Sequence, residues 1–377
     1  MTITELANID DAMDIDRQGT LSIEDILPEA IARSASDILI SAGSPVMLNI
    51  NGALEEYSNP AVLTPNESRT LAYQLVDEDQ QKRFELELDG DMSFELFDEC
   101  RFRVNVFQQR GSVACVLRLI PLTVPSAKDI GMSDLLIGKL TNITSGLLLV
   151  TGPTGSGKST TVASYLDYLN TKHDRPQHIV TIEDPIEFRM RSKRCMINQR
   201  EVGIDTKTFA SGLRAALRQM ANIIFVGEMR DRETIEIALT AAETGNLVIS
   251  TLHTQSAAKT INRIIDVFPV QDQEDIRTRL SLTLKGVITQ LLMPVKGGAG
   301  RVAAREILFV THAISNMIRE GKIHQINNMI TGGAAEGMVL MDDTLLDLHA
   351  KGLVRAEDVL PRLHDTEKAR RLTMRKP

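Results

Sequence analysis

Gly152-Pro153-Thr154-Gly155-Ser156-Gly157-Lys158-Ser159 reads G-x-x-x-x-G-K-S, the spacing of a phosphate-binding P-loop. Its glycines let backbone N–H groups turn inward and cradle phosphate oxygens, through the segment Gly152, Thr154, Gly155, Ser156, Gly157 and on to Thr160. Lys158 brings a positive charge within reach of the β- and γ-phosphates, and Ser159 offers a hydroxyl to Mg²⁺. The flanks suit the motif. Leu147–Val150 is a short apolar run fit for a buried strand, and residues 160–169 carry Val162, Tyr165, Leu166 and Leu169 on one helical face. A helix beginning there points its positive end at a bound anion. Strand, loop and helix together predict an α/β core that binds ATP with Mg²⁺.

Working outward, strands alternate with helices from Gly131 onward, the pattern of a mostly parallel sheet covered on both faces. Strands are expected at 178–182, 223–226 and 247–250, and helices at 209–219 and 232–242. The remainder, from about Ala257, reads as helical. Within it Leu280, Leu284, Val287, Ile288, Leu291 and Leu292 form an apolar stripe at helical spacing that suits core packing. Upstream, residues 1–27 read as an acidic extension and 28–120 as a small α+β unit. That unit has strands at 38–40 and 47–50 closed by the hairpin signal Asn51-Gly52, then helices near 65–75 and 78–87. Further strands follow near 91–97, 102–108 and 112–119. Pro121 and Pro125 punctuate a linker at 121–133, leaving 134–377 as the nucleotide-binding domain with its C-terminal helices.

A net charge of −8 argues against a general nucleic-acid binder, and 4% aromatic residues leave few platforms for base stacking. Apolar runs fall short of the roughly 18 residues of a membrane span. The acidic start MTITELANIDDAMDID lacks the basic and apolar regions of a signal peptide, so a cytoplasmic location is expected. Cys100, Cys115 and Cys195 are scattered and odd in number, which suits neither a disulfide framework nor a four-cysteine zinc module.

Hydrolysis of Mg-ATP needs an acid to position or activate water and cations to meet the transition-state charge. Ligands of an open α/β sheet lie at the carboxyl ends of its strands. Glu183 follows one apolar strand and Glu228 another, the latter resembling a Walker B acid placed to hold Mg²⁺ through water or to orient the attacking water. His253 follows the 247–250 strand. It is read either as a contact to the acids and γ-phosphate or as a structural histidine.

GPTGSGKSTT, IEDPIEF (182–188), NQREV (198–202), VGEMRD (226–231), LTAAETG (239–245), STLHTQSAAKTI (250–261) and GRVAAREI (300–307) resemble the retraction ATPases of type IV pili. These are the PilT/PilU group of the secretion-ATPase superfamily, and the likeness spans about 35–352. It implies a PAS-like N-terminal α+β domain joined to a RecA-like ATPase core, assembled as a hexameric ring. It also implies a motor acting on the pilus through an inner-membrane platform protein, with a paralogous retraction ATPase as a further partner. Peripheral attachment at the inner membrane through those partners follows. Glu183 then falls in the family's Asp box, Glu228 is the Walker B glutamate, also a metal-site residue with Glu183 and Ser159, and His253 is the His-box histidine. The family places N-terminal-domain arginines against the nucleotide. Arg101, Arg103, Arg110 and Arg118 occupy the matching segment, and the sequence does not rank them.

Three departures stand out. Gln219-Met220-Ala221-Asn222 replaces an acid–proline segment before the Walker B strand, and Asn246 replaces a histidine. Both are read as removing groups near the site and so as slowing turnover rather than abolishing it. Ser315 stands for an arginine in the segment 313–320, which bears on partner contact. GEMR and LTAAETG look PilT-like, while QREVGIDT and ALRQ look PilU-like. The alternative reading is an ATP-binding accessory subunit dependent on an active paralogue, or a related secretion or DNA-uptake motor.

Overall fold

The computed structural model describes residues 21–50, 53–96, 100–120, 123–172, 176–298 and 300–374. The chain divides into two compact units, 1–122 and 123–377.

In the first unit, α1 (Ile23–Ala32) opens with a Ser22–Asp25 capping box and buries Ile23, Ile26, Leu27 and Ala30. Helical structure therefore begins ahead of Pro28, which sits inside this helix. Strands β1 (Asp37–Ile40), β2 (Met47–Ile50), β3 (Ala53–Glu56), β4 (Asp89–Leu96), β5 (Cys100–Gln109) and β6 (Ser112–Ile120) form one antiparallel sheet, in the order β3-β2-β1-β6-β5-β4. Ile50 pairs with Ala53, and the Asn51-Gly52 signal itself lies outside the described residues. Helices α2 (Pro65–Tyr73) and α3 (Glu78–Glu87) are each started by a capping box. Their apolar residues, Leu71 and Phe84, join Leu48, Phe102, Val104 and Leu117 in the core of this unit.

The second unit begins with α4 (Asp134–Thr141) and continues β7 (Gly146–Thr151), α5 (Lys158–Lys172), β8 (His178–Glu183), β9 (Met196–Glu201), α6 (Phe209–Ala216), β10 (Ile223–Val226), α7 (Arg232–Glu243), β11 (Leu247–Leu252), α8 (Ala257–Asp266) and α9 (Gln273–Thr283). Two more strands follow, β12 (Leu284–Pro294) and β13 (Arg301–Phe309), then α10 (His312–Arg319) and further helices to Met374. The sheet order is β13-β12-β7-β11-β10-β8-β9, parallel throughout except for β13 at one edge. Strands β7, β10 and β11 are buried along their whole length, as strands covered on both faces must be. Leu147 and Leu149 face a core shared with residues of α6 to α9, while Leu148 and Val150 face one shared with α4 and α5. This alternation is the doubly covered α/β sheet expected of a P-loop core.

The expectation that everything beyond Ala257 is helical is wrong. Leu284, Val287, Ile288, Leu291 and Leu292 lie in β12, which pairs with β7 on one side and β13 on the other. A strand with apolar residues on both faces has no period of two, so its spacing can mimic a helix. Core packing of the stripe does hold: Leu280, Leu284, Val287 and Ile288 are all buried. Gly286 marks a close approach of the paired strand, since a Cβ there would lie 3.1 Å from the Leu308 carbonyl oxygen. No helix among the described residues is long and apolar enough to cross a membrane.

Candidate functional site

Because β7, β8, β10 and β11 run parallel, their carboxyl ends share one edge of the sheet. The segment 152–157 leaves β7 there and enters α5 at Lys158. Gly152, Gly155 and Gly157 take φ values of +142°, +75° and +83°, a backbone that side chains resist. Ser156 is buried, and its Oγ has no hydrogen-bond partner among the described residues. The Lys158 ammonium donates to the carbonyls of Gly152 and Pro153 at 2.9 and 3.0 Å, within the loop. Burial lowers its pKa, and the charge of Glu228 opposes that shift. Thr154 and Gly155 are exposed at the loop's tip, while Ser159 and Thr160 are half-buried in the first turn of α5. An orphaned hydroxyl, a lysine and a helix start converging on a glycine-lined loop fit a phosphate group.

The neighbouring strand ends bring acids and a histidine to the same edge. Gly227 donates to the Ile182 carbonyl at 2.8 Å and Gly152 to the Leu252 carbonyl at 3.2 Å, which ties the end of β10 to β8 and the end of β7 to β11. Glu228 is 17% exposed and its Oε1 lies 2.5 Å from Arg230 Nε and 3.2 Å from His253 Nε2. Burial pushes the Glu228 carboxyl upward, but Arg230 and His253 outweigh it and hold the group below its ordinary pKa. His253 in turn places Nδ1 3.5 Å from Thr154 Oγ1, so the histidine spans Glu228 and the P-loop.

Glu183, at the end of β8, sits differently. It is 6% exposed and accepts hydrogen bonds from Thr181 Oγ1 at 2.6 Å and Gln199 Nε2 at 3.2 Å. Burial lifts its pKa from 4.5 to about 7 against the pull of those bonds. The folded protein therefore favours the neutral acid. That contribution to stability is complete below about pH 4.5 and is lost as pH rises through about 7. Thermal melts of nucleotide-free protein should show the parent losing roughly 3 kcal/mol across that window relative to Glu183→Gln. Parallel pH curves for the two proteins would refute this.

The arginines belong to the first unit. The side chain of Arg101 lies outside the described part of the structure. Arg103 and Arg118 stand opposite each other in the β5–β6 register. Arg103 lies 3.8 Å from Asp91, and Arg118 Nε donates to Asp37 Oδ1 at 2.7 Å. Arg110 is exposed at the β5–β6 turn with φ +48°.

The sequence departures are not near the P-loop, contrary to expectation. Asn246 and the segment 219–222 precede β11 and β10, so they lie at the amino edge of the sheet. β11 has 6 residues. At ~3.3 Å per residue, Asn246 and His253 are separated by roughly 20 Å. There Asn246 Nδ2 donates to the Ala221 carbonyl at 2.6 Å and Asn222 Oδ1 accepts from the His178 N–H at 2.8 Å, both structural bonds. Ser315, in α10, donates from Oγ to the Ser281 carbonyl at 2.5 Å and is thereby tied to α9.

Sequence reasoning missed Gln290 and Arg305. Gln290 Nε2 donates to the Ser156 carbonyl at 2.6 Å, directly behind the P-loop, and Arg305 Nε donates to Gln290 Oε1 at 2.9 Å. The signal was present: a lone amide within the apolar run of β12 requires partners if it is buried.

The sequence family described as type II/IV secretion system protein matches residues 16–297. The chain is 48% identical over 339 residues to the type IV pilus retraction ATPase PilT of Pseudomonas aeruginosa, covering 90% of this chain and 97% of that protein. Against the type IV pilus ATPase PilU of the same bacterium, identity is 34% over 340 residues, covering 90% and 88%. A crystal structure of the pilus retraction motor PilT with bound ADP matches with a TM-score of 0.87 at 45% identity, covering 93% of this chain and 99% of that one.

Proposed function

The chain belongs to the family of type II/IV secretion system proteins, and on that premise we propose that it is an ATP-hydrolysing motor of type IV pilus retraction. The observation that carries this reading is the convergence, at one sheet edge, of the P-loop with the Glu228–His253 pair, linked through Thr154. Likeness to PilT at 48% against 34% for PilU favours a PilT-like role.

In this reading the backbone of residues 152–160 cradles the phosphates of ATP, and Lys158 exchanges its loop carbonyls for phosphate oxygens. Mg²⁺ would be held by the Ser159 hydroxyl with Glu228 and Glu183 on the same edge, and it supplies positive charge against the phosphate oxygens. Glu228, kept ionised by Arg230 and His253, accepts a hydrogen bond from water and orients it for attack. The PAS-like first unit supplies an arginine from among Arg101, Arg103, Arg110 and Arg118 to the transition state. The RecA-like second unit forms a hexameric ring, whose interfaces close on ATP and relax on hydrolysis. The ring acts on the pilus through an inner-membrane platform protein at the cytoplasmic face, with a PilU-type paralogue as a further partner. An accessory, non-hydrolysing role loses its motive, because Gln219–Asn222 and Asn246 lie at the other edge of the sheet.

The test is Mg²⁺-dependent ATP hydrolysis by the purified protein, with particle mass measured in the same samples. Turnover by a six-subunit species is expected. Tight ATP binding without turnover would instead make the chain an accessory subunit, and stimulation by DNA would point to a nucleic-acid motor.

A further inference from the structure

Gln290 stands within β12 and is 2% exposed. Both ends of its amide are engaged. Thr161 Oγ1 and Arg305 Nε donate to Oε1 at 2.8 and 2.9 Å, while Nε2 donates to the Ser156 carbonyl at 2.6 Å. Two donors aimed at one end of the amide set its orientation, so the NH₂ group faces the loop. In a planar trans peptide the Ser156 carbonyl and the Gly157 N–H point opposite ways. Anchoring that carbonyl to β12 therefore turns the Gly157 N–H away from β12, toward the open side of the loop.

The loop rests on Gln290 at two of its glycines. A Cβ on Gly157 would lie 2.8 Å from Gln290 Nε2, and one on Gly152 would lie 2.2 Å from the Gln290 carbonyl oxygen. Glycine at these two motif positions is required by their positive φ and also, apart from any demand of the ligand, by the closeness of β12.

Arg305, on β13 and 5% exposed, steadies the other end of the amide. Its Nη1 donates to the Gly131 carbonyl at 3.1 Å and its Nη2 to the Ile130 carbonyl at 2.7 Å. Burial lowers its pKa to about 10, which leaves it cationic at neutral pH. A cation hydrogen-bonded to the amide oxygen polarises the amide N–H toward Ser156. One buried chain of bonds thus joins the segment before α4 to the P-loop.

We propose that Gln290, held by Arg305, is a positioning residue for the nucleotide phosphates: it sets the Ser156–Gly157 peptide so that the Gly157 N–H is presented to the anion. This rests on the reading of the loop as the ATP site. Removing Gln290 alone strands two donors, so the sharper probe in the full-length protein is the double variant Gln290→Met/Arg305→Met. It replaces both partners with apolar side chains. The double variant should melt below the parent, because Thr161 and the carbonyls of Ser156, Gly131 and Ile130 lose these partners, so binding is measured at a temperature where both proteins remain folded. Its KM for ATP should rise about tenfold, and its ADP affinity by calorimetry should fall about tenfold, while kcat keeps most of its value. If it fails to fold, Gln290→Glu, which keeps both acceptor bonds and removes the donor, carries the same expectation. Parent KM and ADP affinity, with any loss confined to melting temperature, would overturn the proposal. Lys158→Ala in the same titration separates the two readings. Parent-like ADP binding by Lys158→Ala would sink the ATP site itself, whereas loss there with parent-like binding by the double variant would sink only the positioning role.

Discussion

Lys158→Ala should bind ATP and ADP about 10²–10³-fold more weakly than the parent, because it removes a desolvated charge from the centre of the phosphate cradle. Lys158 is 8% exposed and its ammonium is already held within hydrogen-bond distance of two loop carbonyls. Its conformational freedom is thus largely given up before a ligand arrives, and phosphate binding exchanges neutral acceptors for charged ones, which roughly doubles the strength of each bond. Burial works against the charged form, so the site gains by receiving an anion. Calorimetric titration with ADP checks this without requiring turnover. Undiminished affinity would mean that the loop does not hold phosphate.

Glu228→Gln should retain nucleotide binding and lose about 10²–10⁴-fold in turnover. The substitution preserves shape, so Arg230 and His253 keep a neighbour, but the amide no longer offers two carboxylate oxygens to water. The parent carboxyl is depressed below its ordinary value despite burial, since Arg230 and His253 both stabilise the anion. It is therefore ionised across the neutral range, so the Glu228 carboxyl itself should not limit turnover until pH falls below about 4.5, the ordinary value for glutamate. Single-turnover hydrolysis alongside binding separates the two effects. Parent-rate hydrolysis by Glu228→Gln would move the water-orienting role to another residue, with Glu183 one of the other acids at that edge.

Much of the second unit was legible from local pattern. The runs at 147–150, 178–182, 223–226 and 247–250 are strands because they are apolar, short and bounded, and each proved buried on both faces. The same physics misled at β12, where burial on both faces erased the strand period and left spacings that also fit a helix. β9 was missed as an element, for its residues Asn198, Gln199 and Arg200 are polar and it lies at the edge of the sheet. The placement of Asn246 was misjudged because nearness to His253 in sequence is not nearness in space: a strand length separates them.

The P-loop, the acids at the strand ends and the family were determined by the sequence, since each is a short-range pattern of residue type and spacing. Only the tertiary structure decided what stands behind the loop. Gln290 lies 134 residues from Ser156, and Arg305 lies 174 from Gly131, and no local rule joins them. They meet because β12 pairs beside β7 and β13 beside β12, and the buried amide and guanidinium must then find partners among whatever backbone the sheet has brought alongside.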